Sequence, residues 1–89
     1  MIIQDIKIIN RLGLHARPAA LVVQTAAEFT CEIKLKKDQV EVNAKSIMGV
    51  LMLAAEHGSV LQLQCDGPDE KEAAQAIVSL FENKFNEEF

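Results

Sequence analysis

The chain has 89 residues, a net charge of -4 at pH 7, and neither Trp nor Tyr. With 49% hydrophobic and 25% charged residues it has the balance of a globular protein, and residues 1–89 are expected to form one domain around one small core. The acidic balance and the few aromatic residues argue against a nucleic-acid binder, and no apolar run approaches the roughly 20 residues that cross a bilayer, so we expect a cytoplasmic protein.

The N-terminal segment predicts a strand followed by a helix. Residues 2–9 are rich in isoleucine, and Ile6 and Ile8 alternate with Asp5 and Lys7, which indicates a strand with one face in water. A turn signal over residues 10–13 ends it. From Ala16 to about Phe29, apolar residues recur at helical spacing, so a helix is predicted to begin directly after His15.

The middle of the chain predicts a β-hairpin. Residues 31–36 and 40–43 alternate apolar and polar side chains, and the turn between them is predicted at Lys37-Asp38.

A short helix should follow the hairpin. Ser46 has the side chain of an N-cap, and the helix is predicted to run to Leu53 or Ala55. Gly58 is its expected C-terminal stop. His57 would then lie near the negative end of the helix dipole, where a structural role is expected.

The last segment predicts a fourth strand and a third helix. Residues 60–65 alternate again before a break at Gly67-Pro68. Asp69 and Glu72 have the spacing of a capping box, and residues 86–88 are expected to fray. The apolar stripe of this helix consists of Ala73, Ile77, Leu80 and Phe81.

The predicted order is strand, helix, strand, strand, helix, strand, helix (βαββαβα). Three helices can cover one face of a four-stranded sheet, which leaves the polar strand residues in water. We therefore expect an α+β, open-faced two-layer β-sandwich with a mainly antiparallel sheet. Cys31 and Cys65 lack C-x-x-C spacing and are expected to be buried, reduced thiols, and the two distant histidines suggest no metal site.

The segment that carries chemistry is Gly13-Leu14-His15-Ala16-Arg17-Pro18-Ala19-Ala20, where a histidine stands at the start of a helix. The backbone N–H groups of Ala16 and Arg17, and the positive end of the helix dipole, would stabilise a phosphoryl group on His15. The same positive end disfavours the imidazolium and keeps the ring nucleophilic. Arg17 adds a planar fork of donors for phosphoryl oxygens. No neighbouring Ser, Cys or carboxylate supports hydrolysis, although an isolated His-X-Arg is also compatible with a structural histidine.

This segment resembles the active-site signature of HPr, the histidine-containing phosphocarrier of the bacterial phosphotransferase system. The family is also resembled by a second segment, Asn43-Ala44-Lys45-Ser46-Ile47-Met48-Gly49. The length of the chain and the order of its elements are similar as well, so the likeness covers almost the whole chain. The resemblance implies that His15 carries a phosphoryl group on Nδ1, received from enzyme I and passed to IIA domains, with Arg17 as its electrostatic partner. It implies a relay protein without a cofactor, not an enzyme.

Ser46 has two expected roles. As an N-cap it satisfies backbone N–H groups, a contribution of about 1 kcal/mol. The resemblance adds a regulatory role, because the matching serine in many HPr proteins is phosphorylated by an ATP-dependent HPr kinase/phosphorylase.

The second helix has more apolar residues than one buried stripe requires, so part of the set is expected to be exposed and to dock partners. Core packing is the stronger alternative for Leu51 and an equal one for Met48. The expected docking residues are Ala20, Ile47, Met48, Leu51 and Met52.

Two features depart from the common HPr pattern. Gln24 and Ala27 stand where the family commonly has lysines, which predicts weaker steering toward acidic partners. Residues 76–81 with Phe85 resemble the nitrogen-related branch of the family, so sugar uptake and regulation both stay open.

Two other functions are compatible with these observations. One is a noncatalytic regulatory α+β domain that binds a small ligand, because the fold alone does not define function. The other is a regulator modified only at Ser46, with His15 idle. A monomer is expected, since a relay must expose one face to successive partners.

Overall fold

The computed structural model describes residues 1–86 and contains four strands and three α-helices in the predicted order. The elements are β1 (Ile2–Lys7), α1 (Ala16–Ala26), β2 (Glu32–Lys37), β3 (Val40–Asn43), α2 (Ile47–Met52), β4 (Val60–Asp66) and α3 (Glu70–Glu82), followed by a C-terminal turn (Lys84–Asn86). No helix among these residues is long and apolar enough to cross a membrane.

The strands form one antiparallel sheet in the order β1-β4-β2-β3. Ile6 lies opposite Leu61 in the β1–β4 pair, and Leu35 lies opposite Leu63 in the β2–β4 pair and opposite Val42 in the β2–β3 pair. Every strand pairing in the described part of the chain is antiparallel, which confirms the predicted sheet.

One face of the sheet is buried and the other faces solvent. The alternation of side chains places Leu35, Leu61 and Leu63 in the core. Lys34, which precedes Leu35 on β2, points to the solvent face and forms an ion pair with Glu41, with Nζ and Oε1 3.3 Å apart. The helices bury one stripe each against this core. The helical core residues are Pro18, Ala19, Val22 and Ala26 of α1, Val50 of α2, and Ala73, Ala74, Ile77 and Phe81 of α3. This arrangement confirms the two-layer α+β architecture.

Three boundaries differ from the prediction by a few residues. β1 ends at Lys7, although the N–H of Ile8 still donates to the carbonyl oxygen of Ser59 at 2.9 Å. α1 ends at Ala26, and shorter-range turn bonds continue as far as Phe29. The hairpin turn falls at residues 38–39, because Asp38 adopts a positive φ of 55° while the preceding lysine still pairs in β2.

α2 ends within one residue of Leu53, the shorter of the two predicted ends, but the predicted stop at Gly58 is wrong. The helix stops at Met52, and Ala54 takes the left-handed position with a φ of 48°. The Nζ of Lys37 donates to the carbonyl oxygens of Leu53 and Ala54, at 3.4 and 3.3 Å, so a lysine from β2 satisfies the helix end. Gly58 lies instead in the turn before β4, where its backbone has a positive φ of 89°. Its N–H donates to the carbonyl oxygen of Ile8.

His57 consequently lies in an exposed turn beyond α2, not in the last turn of that helix. The predicted interaction with the negative end of the α2 dipole is therefore wrong, because this effect falls off within the last helical turn.

The predicted capping box of α3 is also wrong. Asp69 is the N-cap residue but makes no side-chain cap bond, because its carboxylate accepts hydrogen bonds from Thr30 and Cys31. Glu70, not Glu72, reaches back, with Oε1 accepting from the N–H of Gly67 at 3.1 Å.

The C-terminal part of the apolar stripe differs in detail. Leu80 of the predicted stripe packs against the core but is only partly buried, and Ala74, which was not part of that stripe, is buried. Of the tail predicted to fray, Asn86 ends the C-terminal turn and residues 87–88 lie outside the described residues.

The two cysteines are buried free thiols, as predicted. Burial, and after it a hydrogen bond with the Asp69 carboxylate, raise the pKa of Cys31 from 9.0 to about 11. Burial also raises the pKa of Cys65. Both thiols therefore remain protonated and unreactive near neutral pH.

Candidate functional site

His15 is the N-cap residue of α1 and is half-buried. Its backbone is extended, with φ of -82° and ψ of -171°, and its carbonyl oxygen accepts the N–H of Ala19 at 2.9 Å. The imidazole makes no side-chain cap bond to the helix. The ring thus stands at the positive end of α1 without the capping role that Ser or Asp would have there.

The loop before His15 is fixed by two hydrogen bonds to backbone carbonyl oxygens. Asn10, which is fully buried, donates from Nδ2 to the carbonyl oxygen of Gly13 at 2.7 Å. The N–H of Leu14 donates to the carbonyl oxygen of Ala55 at 2.9 Å. These contacts join the His15 loop to the segment that follows α2, so the histidine is held by a tertiary scaffold.

Gly13 is required by this geometry. Its φ is 69°, and a Cβ there would lie 2.6 Å from the Ala55 carbonyl oxygen. The sequence predicts the turn, but it contains no signal for Ala55 as the acceptor or for Asn10 as the residue that clamps Gly13.

The first turn of α1 has the features of an anion-binding helix end. Ala16 and Arg17 are its first two residues, and both are exposed. Their N–H groups precede the first intrahelical bond, which belongs to Ala19. The first turn contains no acidic residue. An anion on the His15 ring would therefore meet backbone donors and no competing carboxylate from that turn.

Arg17 extends from this turn toward the end of the described chain. Its Nη1 donates to the carbonyl oxygen of Phe85 at 2.9 Å. The side chain predicted to contact a phosphoryl group therefore also contacts the C-terminal turn. In the sequence Phe85 is only one apolar residue of the tail, and no local pattern indicates this contact.

Ser46 caps α2 as predicted. Its Oγ accepts the N–H of Gly49 at 3.1 Å, and its carbonyl oxygen accepts the N–H of Val50. The neighbouring Lys45 donates from Nζ to the carbonyl oxygen of Phe29 at 2.7 Å, which links the start of α2 to the segment after α1.

The apolar residues of α2 are largely uncovered. Met48 is 67% exposed and Met52 70% exposed, and Leu51, for which core packing was the stronger alternative, is 37% exposed. Only Val50 is fully buried in this helix. We call the four exposed residues the α2 surface: Ile47, Met48, Leu51 and Met52. Ala20 of α1, the other expected docking residue, is partly buried.

One further exposed apolar residue lies three positions before His15 in the chain. Leu12 is exposed on the loop that carries His15. It was not among the predicted docking residues, because the loop signal alone does not indicate which side chains are exposed.

Known proteins match this chain over nearly its whole length. Residues 2–83 match the family described as "PTS HPr component phosphorylation site". The Phosphocarrier protein HPr of Treponema pallidum is 53% identical over 88 residues, which cover 99% of this chain and 100% of that protein. The crystal structure of HPr-C-His from Thermoanaerobacter tengcongensis is 52% identical, covers 100% of both chains and gives a TM-score of 0.96.

A crystal structure described as an HPr dimer from the same organism is 54% identical, covers 92% of this chain and 94% of that chain, and gives a TM-score of 0.79. These matches define the class of the chain, a phosphocarrier protein of the phosphotransferase system and not an enzyme. The chain belongs to the HPr family.

Proposed function

We propose that this chain accepts a phosphoryl group from enzyme I on His15 and delivers it to IIA domains in the bacterial cytoplasm. The observation that carries the proposal is the position of His15 as the N-cap residue of α1, with its ring not used for capping. A histidine at that position combines a nucleophile with the anion-binding end of a helix.

Phosphorylation of His15 needs no group beyond those at the helix end. The lone pair of Nδ1 attacks phosphorus, and the new N–P bond forms as the bond to the donor group of enzyme I breaks, with its electron pair leaving on the donor. The N–H groups of Ala16 and Arg17 are placed to stabilise the negative charge on the phosphoryl oxygens. Delivery to a IIA domain is the same exchange in reverse, with the acceptor as nucleophile.

Arg17 supplies a positive charge at this site. A guanidinium presents five N–H donors in a plane, and phosphoryl oxygens accept two of them at once. The contact with the Phe85 carbonyl oxygen is made by Nη1, and when His15 carries a phosphoryl group the donor fork can bind the phosphoryl oxygens.

The α2 surface is the proposed docking site for enzyme I and the IIA domains. Methionine side chains are flexible and polarisable, so they can adapt to several partner surfaces. α1 and α2 pack against each other, which places this surface on the same layer as His15. Leu12, exposed three residues before the histidine, is a further apolar side chain that a partner could contact.

Ser46 is the proposed regulatory site, modified by an HPr kinase/phosphorylase. A phosphate on Oγ would stand at the start of α2, where negative charge is tolerated, but next to Ile47 and Met48 of the docking surface. We therefore expect modification to weaken docking more than stability.

Reconstitution of the relay tests the proposal. The purified chain, enzyme I, a IIA domain and labelled phosphoenolpyruvate should give a labelled IIA domain only when all components are present. Label that stops on enzyme I would contradict the carrier function.

The chain is proposed to be a monomer. Sedimentation of the phosphorylated and unphosphorylated chain in the same buffer tests this, and one species of about 9.8 kDa is expected.

A further inference from the structure

The C-terminal turn has an unusual backbone. Lys84, Phe85 and Asn86 have consecutive positive φ angles of 53°, 56° and 62°, and none of them is glycine. Left-handed backbone is unfavourable for residues with a Cβ, and a run of three persists only where surrounding contacts impose it.

The ring of Phe85 supplies such contacts. It is fully buried and packs edge-on against Phe81 of α3, with the ring centroids 4.8 Å apart and the planes at 68°. The N–H of Asn86 donates to the carbonyl oxygen of Asn83 at 2.9 Å and closes the turn. The packed ring therefore determines where the adjacent backbone carbonyl lies.

That carbonyl is the acceptor for Arg17. The 2.9 Å contact joins residues 68 positions apart in the chain, so it depends on the tertiary fold. An arginine side chain has many rotamers, and an acceptor on a rigid support restricts them before any phosphoryl group arrives.

We propose that Phe85 is a positioning residue for Arg17: its buried ring imposes a left-handed turn that aims the Phe85 carbonyl at the guanidinium and holds it for phosphoryl transfer. This inference rests on the proposed transfer at His15. Phe85 acts only through Arg17 and contacts no substrate. Its effect should therefore appear in kcat for phosphoryl transfer from enzyme I, with KM unchanged.

The first test is a double-mutant cycle. Phe85→Ala should lower kcat about tenfold, less than the roughly 100-fold that misplacement of a catalytic group can cause. In the Arg17→Ala background, the same substitution should have no further effect on kcat. An undiminished effect of Phe85→Ala in that background, or faster transfer by the single variant, would overturn the proposal.

A second pair of variants avoids the loss of a buried ring. Lys84→Val and Lys84→Gly remove the same charge, but only glycine accepts a positive φ without strain. Lys84→Gly should keep wild-type kcat, whereas Lys84→Val should lower it as Phe85→Ala does. Equal kcat values for the two variants would contradict the imposed turn.

The side-chain NMR signal of Arg17 Nε separates this proposal from the function on which it rests. In the unphosphorylated protein, the signal should shift toward that of a solvated arginine in Lys84→Val and Phe85→Ala but not in Lys84→Gly. If enzyme I fails to phosphorylate the chain while these shifts occur, the proposed function fails and the positioning contact stands. Unchanged shifts in all three variants would overturn the positioning role.

Discussion

The Oδ2 atom of Asp69 accepts a hydrogen bond from the backbone N–H of Thr30 at 2.8 Å, and Oδ1 accepts from the N–H of Cys31 at 2.9 Å. The carboxylate thereby ties the start of α3 to the connection between α1 and β2. The bond from Thr30 is the largest cause that lowers the pKa of Asp69 from 3.8 to about 2.

This contact predicts a specific loss of stability in acid. A carboxyl group with a lowered pKa in the folded state stabilises the fold above its unfolded pKa, so its contribution should disappear as pH falls from about 4 to about 2. Asp69→Asn should melt at a lower temperature than wild type at pH 7 and should lose less of its stability over that acid range. Thermal melts between pH 2 and pH 7 measure this difference.

The control is Asp5→Asn, which changes an exposed residue of β1 and should follow the wild-type profile. Parallel profiles for wild type and Asp69→Asn would show that the contact is not maintained in solution.

Arg17→Ala should slow phosphoryl transfer without abolishing it. The variant loses the charged donor fork but keeps the backbone N–H groups of the helix end, so kcat should fall by about 10- to 100-fold. Stopped-flow or quench measurements with phosphorylated enzyme I give this rate. Arg11→Ala removes the same charge from the loop before His15 and should transfer at nearly the wild-type rate. A wild-type rate for Arg17→Ala would leave Arg17 without a role in the chemistry.

Ser46→Asp should transfer phosphate more slowly than Ser46→Ala. The carboxylate of Ser46→Asp can still cap α2, whereas Ser46→Ala should lose about 1 kcal/mol of stability with the cap. The negative charge of Ser46→Asp, however, lies beside the α2 surface and should repel an acidic partner, so the difference between the variants should shrink in high salt. Transfer kinetics at two salt concentrations and thermal melts separate these effects. Equal transfer rates at low salt would leave Ser46 as a cap only.

The docking surface can be tested with a matched pair of charged substitutions. Met48 on α2 and Val60 on β4 are both highly exposed, at 67% and 55%, but Val60 alternates with buried Leu61 and therefore lies on the open face of the sheet. Met48→Glu should raise the KM for enzyme I about tenfold, which corresponds to about 1.4 kcal/mol of binding free energy. Val60→Glu should leave KM unchanged. The reverse result would place docking on the sheet face.

Local patterns predicted most of the fold because they report directly on burial. The alternation of Leu61 and Leu63 with glutamines gave β4 its correct face, and the apolar spacing after His15 located α1. The position of His15 at the start of a helix followed from the same periodicity.

Features that depend on contacts distant in the chain were not predicted. The Asp69 carboxylate has the sequence spacing of a cap, but it binds backbone N–H groups 38 and 39 residues away, which compete with its own helix. In the same way, the Lys37 ammonium from β2 donates to carbonyl oxygens at the end of α2, where Ala54 and not the predicted Gly58 has the left-handed backbone that follows the helix. The contact between Arg17 and Phe85 has no local pattern at all.

Intact-mass analysis of histidine variants tests the central claim most directly. His15→Ala and His57→Ala remove the two histidines of the chain in turn, and neither histidine belongs to the buried core. After incubation with phosphoenolpyruvate and enzyme I, wild type and His57→Ala should each gain one acid-labile phosphate, and a folded His15→Ala should gain none. Gain of a phosphate by His15→Ala, or its loss in His57→Ala alone, would contradict the assignment of His15 as the phosphoryl carrier.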